Sequence, residues 1–170
     1  MFNIGEKIIY GTEGVFVVSE YARSPIDKND DRIFYILKPA YGSESNIIYT
    51  PADNTRVKMR SVMSREEALG VIANIPRVPL LFIEQEKKRR NAYRDAMSEG
   101  ETTEYISIIK TIHYKREDCI KHKKRLSESD AEYEKKAKYC LYGELAVSLG
   151  ISFDEVEGYI LNMLGASEVV

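Results

Sequence analysis

The chain has 170 residues, 44% apolar and 31% charged, with a net charge of −2; this fits one large or two small packed domains and excludes wholesale disorder. Its longest uncharged run, residues 158–167, is far shorter than the ~18 residues of a membrane span, and Glu6 and Lys7 interrupt the only stretch where a signal peptide would lie. Cys119 and Cys140 form no disulfide framework or zinc pattern, so the expectation is a cytoplasmic protein with reduced thiols.

The first sixty residues read as β structure. Residues 7–10 (KIIY) form a short apolar run closed by Gly11, and 15–21 (VFVVSEY) are rich in β-branched and aromatic residues. A loop is expected over 24–31, where Pro25, Asn29 and three aspartates cluster. Residues 32–38 (RIFYILK) end at Pro39, 46–50 (NIIYT) end at Pro51, and 57–59 supply a fifth strand. Short strands between Gly, Pro and Asn turns predict a small antiparallel barrel or a strongly bent sheet.

The remainder reads as helix. Ser64 with Glu67 is a capping box, and the helix it opens should end near Asn74, before Pro76. Pro79 is expected to open a second helix that stops at Gly100; Pro76 and Pro79 together stiffen the junction before it. A third helix carries Tyr105, Ile108, Ile109, Ile112 and Cys119 as an apolar stripe. Ser129 with Glu132 offers a second capping box, ahead of Tyr133, Ala137, Cys140, Leu141 and Leu145. Ser152 with Glu155 offers a third, ahead of Phe153, Val156, Ile160 and Met163. The class is therefore α+β, a β module followed by about five helices, with domains at 1–61 and 62–170.

Charge is unevenly spread. Residues 1–60 are neutral, 61–84 carry −1, 85–125 carry +5 and 126–170 carry −6. The basic stretch holds Lys87, Lys88, Arg89, Arg90 and Arg94, then Lys115, Arg116, Lys121, Lys123, Lys124 and Arg125. An antiparallel hairpin of the second and third helices would join the two clusters into one patch, suited to DNA with weak sequence preference. The plainer reading is a solvated helix face.

No catalytic constellation stands out, and neither cofactor, metal nor small-molecule substrate is expected. His113 and His122 stand nine residues apart, too far along one helix to share a metal. Gly11 and Gly14 precede no helix and make no phosphate loop. Residues 144–160 have helix-turn-helix spacing, with Ala146, Gly150 and Val156 at the tight corner. The second helix would bring Asp154, Glu155 and Glu157 toward DNA phosphates, which repel them, so packing is the better reading.

Residues 2–15 (FNIGEKIIYGTEGV), 34–38 (FYILK), 48–54 (IYTPADN) and 139–150 (YCLYGELAVSLG) together resemble the CarD/CdnL family of bacterial RNA-polymerase-binding transcription regulators. The resemblance spans nearly the whole chain in order. It implies a Tudor-like N-terminal barrel that docks on the polymerase β subunit, and a helical domain that contacts promoter DNA at the upstream edge of the melted region. It implies no enzyme; the family stabilises the open promoter complex. Polymerase-facing positions carried over from the resemblance are Arg23 and Tyr49, and the β-rich run adds Ile47 and Ile48, before Pro51. The family's wedge tryptophan has no counterpart, because the chain has no Trp and Glu86 falls at that position. Two other readings accompany this one: a sequence-specific repressor using 144–164, and a protein-interaction adaptor that binds no DNA.

Overall fold

The computed structural model describes residues 1–24, 29, 31–41 and 46–165; most of the loop expected over 24–31 lies outside them. Two compact units, Met1–Val62 and Met63–Val170, divide the chain.

The first unit is a five-stranded antiparallel sheet: β1 (Lys7–Tyr10), β2 (Val15–Ala22), β3 (Phe34–Pro39), β4 (Ile48–Pro51) and β5 (Met59–Ser61), in the order β4-β3-β2-β1-β5. Among the described residues β4 and β5 pair with nothing beyond β3 and β1, so the sheet is not closed into a barrel. These edge strands have only four and three residues, and β4 ends on Pro51, which has no N–H to offer a further ladder. Alternation sends Ile8, Phe16, Val18, Tyr35 and Leu37 into one fully buried cluster, with Phe2, Tyr10, Ile48 and Met59 packed around it. The β1–β2 turn needs its glycine. Gly11 has φ +51°, and a Cβ there would lie 2.9 Å from Val57 Cγ1.

The second unit holds α1 (Arg65–Asn74), a 3-10 turn (Ile75–Arg77), α2 (Glu86–Glu99), α3 (Thr102–Lys121), α4 (Glu128–Leu149), a second 3-10 turn (Phe153–Glu155) and α5 (Val156–Leu164). Ser64 caps α1 in a reciprocal box with Glu67, and Ser152 makes the same box with Glu155. The expected stripe on α3 is buried throughout: Tyr105, Ile108, Ile109, Ile112 and Cys119. It packs against Ala137, Cys140, Leu141 and Leu145 of α4.

Two helix starts differ from expectation. The first helical residue of α2 is Glu86, seven residues after Pro79. The intervening backbone is extended because side chains of α3 bind it. Ser107 Oγ donates to the Pro79 carbonyl (2.7 Å), the Leu81 N–H donates to Thr111 Oγ1 (2.7 Å), and Lys110 Nζ donates to the carbonyls of Ile75, Pro76 and Val78 (2.8–3.2 Å). Pro76 and Pro79 thus lie inside the helical unit, on this strap. The N-cap of α4 is Ser127, not Ser129; its Oγ accepts from the Asp130 N–H.

Candidate nucleic-acid interface and docking edge

On the β unit, β4 is an edge strand that pairs with β3 alone among the described residues. Ile48 turns inward onto the core cluster, whereas Tyr49 is half exposed and Ile47, just before the strand, is also exposed. Tyr49 sits directly across from Ile36 on β3, so an aromatic and an aliphatic side chain share that outer face. Arg23 follows β2; its side chain is exposed and stands 3.7 Å from the equally exposed Asp31, a pairing of little energetic weight.

On the helical unit the sequence-predicted cations fall into two groups. The hairpin does bring the first turn of α2 against the later part of α3, and an acid lies at the meeting point. Arg89 is 4% exposed and forms a bidentate pair with Asp130, Nε to Oδ1 at 2.8 Å and Nη2 to Oδ2 at 3.0 Å. Its Nη1 also donates to the carbonyls of Ile83 and Glu84 (both 3.0 Å). Lys115 Nζ reaches the same Asp130 carboxylate at 2.6 Å, and Ser127 Oγ donates to it at 2.7 Å. Burial pushes the Asp130 carboxyl up, but hydrogen bonds from Arg89, Lys115 and Ser127 outweigh it and hold the group below its ordinary range. One turn further along α4, Glu134 takes a forked pair from Arg116 and lies 3.7 Å from Lys138. The expectation that Arg89 meets DNA is therefore corrected: its charge is buried and neutralised. Lys115 and Arg116 keep partial exposure, but their ammonium and guanidinium groups are bound to acids.

The second group is unpaired. Lys87, Lys88 and Arg90 on the first turns of α2 are exposed and make no ion pair among the described residues. Cations there oppose the helix dipole, at a cost of ~0.3–1 kcal/mol each at low salt. Lys121 ends α3, and Lys123, Lys124 and Arg125 follow it, all exposed and likewise unpaired among the described residues. Arg94, a turn beyond Arg90, is exposed and lies 3.3 Å from its neighbour Asp95. Asp130 ties the first turn of α2 and the later part of α3 to the first turn of α4, so the helix segments that carry these cations adjoin it.

The turn after α3 is well defined. Lys123 N–H donates to the Ile120 carbonyl (3.1 Å) and Lys124 N–H to the Cys119 carbonyl (2.8 Å), closing the helix with Lys123 at φ +54°. Left-handed backbone at a non-glycine residue costs ~1–2 kcal/mol. In this turn His122 Nδ1 lies 2.9 Å from the Asp118 carbonyl and 3.2 Å from its carboxylate.

Two features escaped sequence reasoning. Asp130 was hidden because Ser127-x-x-Asp130 and Ser129-x-x-Glu132 fit the same capping pattern. The strap was hidden because Ser107, Lys110 and Thr111 read as interruptions of an apolar stripe; their spacing of three and four does place them on one helix face. The strap carries Phe82 outward at 66% exposure. Its ring meets Tyr114 of α3 edge-on at 5.2 Å, and Tyr114 is itself 51% exposed.

The chain turns between α4 and α5 at Gly150, with a 3-10 turn before α5. Gly150 adopts φ +70°, and Ala146 and Val156 are buried. Asp154, Glu155 and Glu157 are exposed on its second arm, and Glu157 pairs with Lys138 at 3.0 Å. Among the described residues no group of three or more His, Cys, Asp or Glu side chains is placed to hold a metal ion, and no helix is long and apolar enough to cross a membrane.

No protein-family model matches the chain, and no curated protein matches it. The CarD/CdnL resemblance therefore stands on the motifs in the sequence alone.

Proposed function

We propose that this chain is a transcription regulator that docks on the RNA polymerase β subunit through a Tudor-like N-terminal module and contacts promoter DNA through its helical unit. The observation that carries the DNA half is the gathering of unpaired, exposed cations at one end of that unit: Lys87, Lys88, Arg90, Lys121, Lys123, Lys124 and Arg125. Such a face binds phosphates with little base preference. The exposed Phe82–Tyr114 pair supports contact at the edge of melted DNA, because unstacked bases offer π-faces to aromatic side chains. A groove-reading repressor has less support, since the second arm of its helix-turn-helix is acidic. Binding the open promoter more tightly than the closed one would shift promoter opening by that difference in affinity and no more. The polymerase half rests on the β4 edge and its exposed Ile47 and Tyr49.

The DNA half is tested by replacing Lys87, Lys88 and Arg90 together with glutamine. Fluorescence anisotropy on a promoter duplex should give a log affinity against log salt slope shallower by up to about 2.7, at ~0.9 per phosphate contact. A folded triple variant with the wild-type slope would falsify that assignment. For the polymerase half, Tyr49→Ala should weaken binding of the full chain to the β subunit severalfold while leaving its thermal melt in place. Unchanged affinity would remove β4 as the docking edge.

A further inference from the structure

We infer that Lys123 is a phosphate contact kept at the expense of the turn it occupies. The inference rests on the nucleic-acid reading above and deepens it. Lys123 is the one non-glycine residue with positive φ among the described residues. It occupies the position just past a helix end where glycine is favoured, and the two closing hydrogen bonds leave it no other backbone conformation. Three other helix ends in the same unit do carry glycine in the left-handed region: Gly100, Gly150 and Gly165. Among the described residues, the helix end that places a non-glycine residue in the left-handed region is the one that carries Lys121, Lys123 and Lys124.

The turn itself does not need the charge. A cation near a helix C-terminus is favourable, but Lys121 already supplies one in the last turn. Lys123 makes no ion pair among the described residues, and its side chain is exposed between Lys121 and Lys124. Strained backbone persists only where the surrounding structure over-determines it, and it clusters at functional sites. Here the chemistry that matches the strained residue and its neighbours is a polyanion, and the Proposed function names DNA. The closed turn holds Lys123 on a rigid mount, so a phosphate contact there costs less ordering than one from a flexible loop.

Two variants separate charge from strain: Lys123→Gln removes the charge and keeps the strain, and Lys123→Gly removes both. On a mixed-sequence DNA duplex, each should shallow the salt slope by about 0.9, one contact's worth. Only the glycine variant should gain stability, with Tm higher by about 2–4 °C. Wild-type slopes in both variants overturn the inference. So does a glycine variant that melts below the glutamine variant, since the lysine would then serve the turn. The α2 triple variant keeps the two claims distinct. If it loses slope while the Lys123 variants do not, the nucleic-acid reading stands and this inference falls; if the chain binds no duplex, both fall.

Discussion

The Asp130 network and the turn after α3 are equally basic in sequence and opposite in fate. Arg89 and Lys115 converge on a buried carboxylate that pairs with both of them. Lys121, Lys123, Lys124 and Arg125 lie a few residues away and meet no acid among the described residues. The difference teaches that a charge run measures potential for a polyanion only after its buried acids have been subtracted. Arg89 and Arg90 make the point at adjacent positions. One points into the bundle and braces three helices, and the other faces water.

The comparison breaks most visibly at Asp130. Asp130→Asn leaves Arg89 buried without its counter-charge, and removing one partner of a buried pair costs ~3–5 kcal/mol. Urea unfolding should read that loss, whereas the α2 triple variant should be no less stable than wild type, since it relieves cations that oppose the helix dipole. A small effect of Asp130→Asn would show that Arg89 escapes to solvent and belongs with the free cations after all.

Acid sharpens the same contrast. The Asp130 carboxyl is held below its ordinary value of 3.8, so its contribution is fully present above that value. It is lost as pH falls through the lower native value. Stability of the wild-type chain should therefore decline below about pH 4, and Asp130→Asn should flatten part of that limb. Parallel wild-type and variant acid limbs in urea titrations would count against the network.

The smallest effect is expected at Glu134. Its partner Arg116 is 38% exposed, so solvent screens the pair. Glu134→Gln should cost ~1 kcal/mol or less and free a cation beside the proposed DNA face. A slightly steeper salt slope in anisotropy is the expected sign; an unchanged one would mean that Arg116 contributes nothing once released.

How far the sequence alone reached follows from the range of the forces involved. Ser64, with Glu67 three residues on, is a local device, and the helix starts where that device says. Ile48 was grouped with Ile47 and Tyr49 at the docking edge, but it packs on the core cluster while the other two are exposed, because alternation puts neighbouring strand residues on opposite faces. The start of α2 was misread because Pro79 is an ordinary first helical residue, and what forbids it are side chains 28 to 30 residues away. Arg89 was misread for the same reason, since its partner lies 41 residues along the chain. The open sheet differs from a barrel at its two shortest strands, whose pairing partners no local pattern specifies.

The strap from Ile75 to Glu84 has a bearing on how this chain can diverge. Ser107, Lys110, Thr111 and Arg89 grip its carbonyls and one amide, never its side chains. A mount of that kind is blind to which residue it displays. Outward positions such as Phe82 can therefore be exchanged, generation by generation, with little risk to the fold, while the four gripping residues are frozen. New surface chemistry beside the cation cluster is thus within reach of single substitutions.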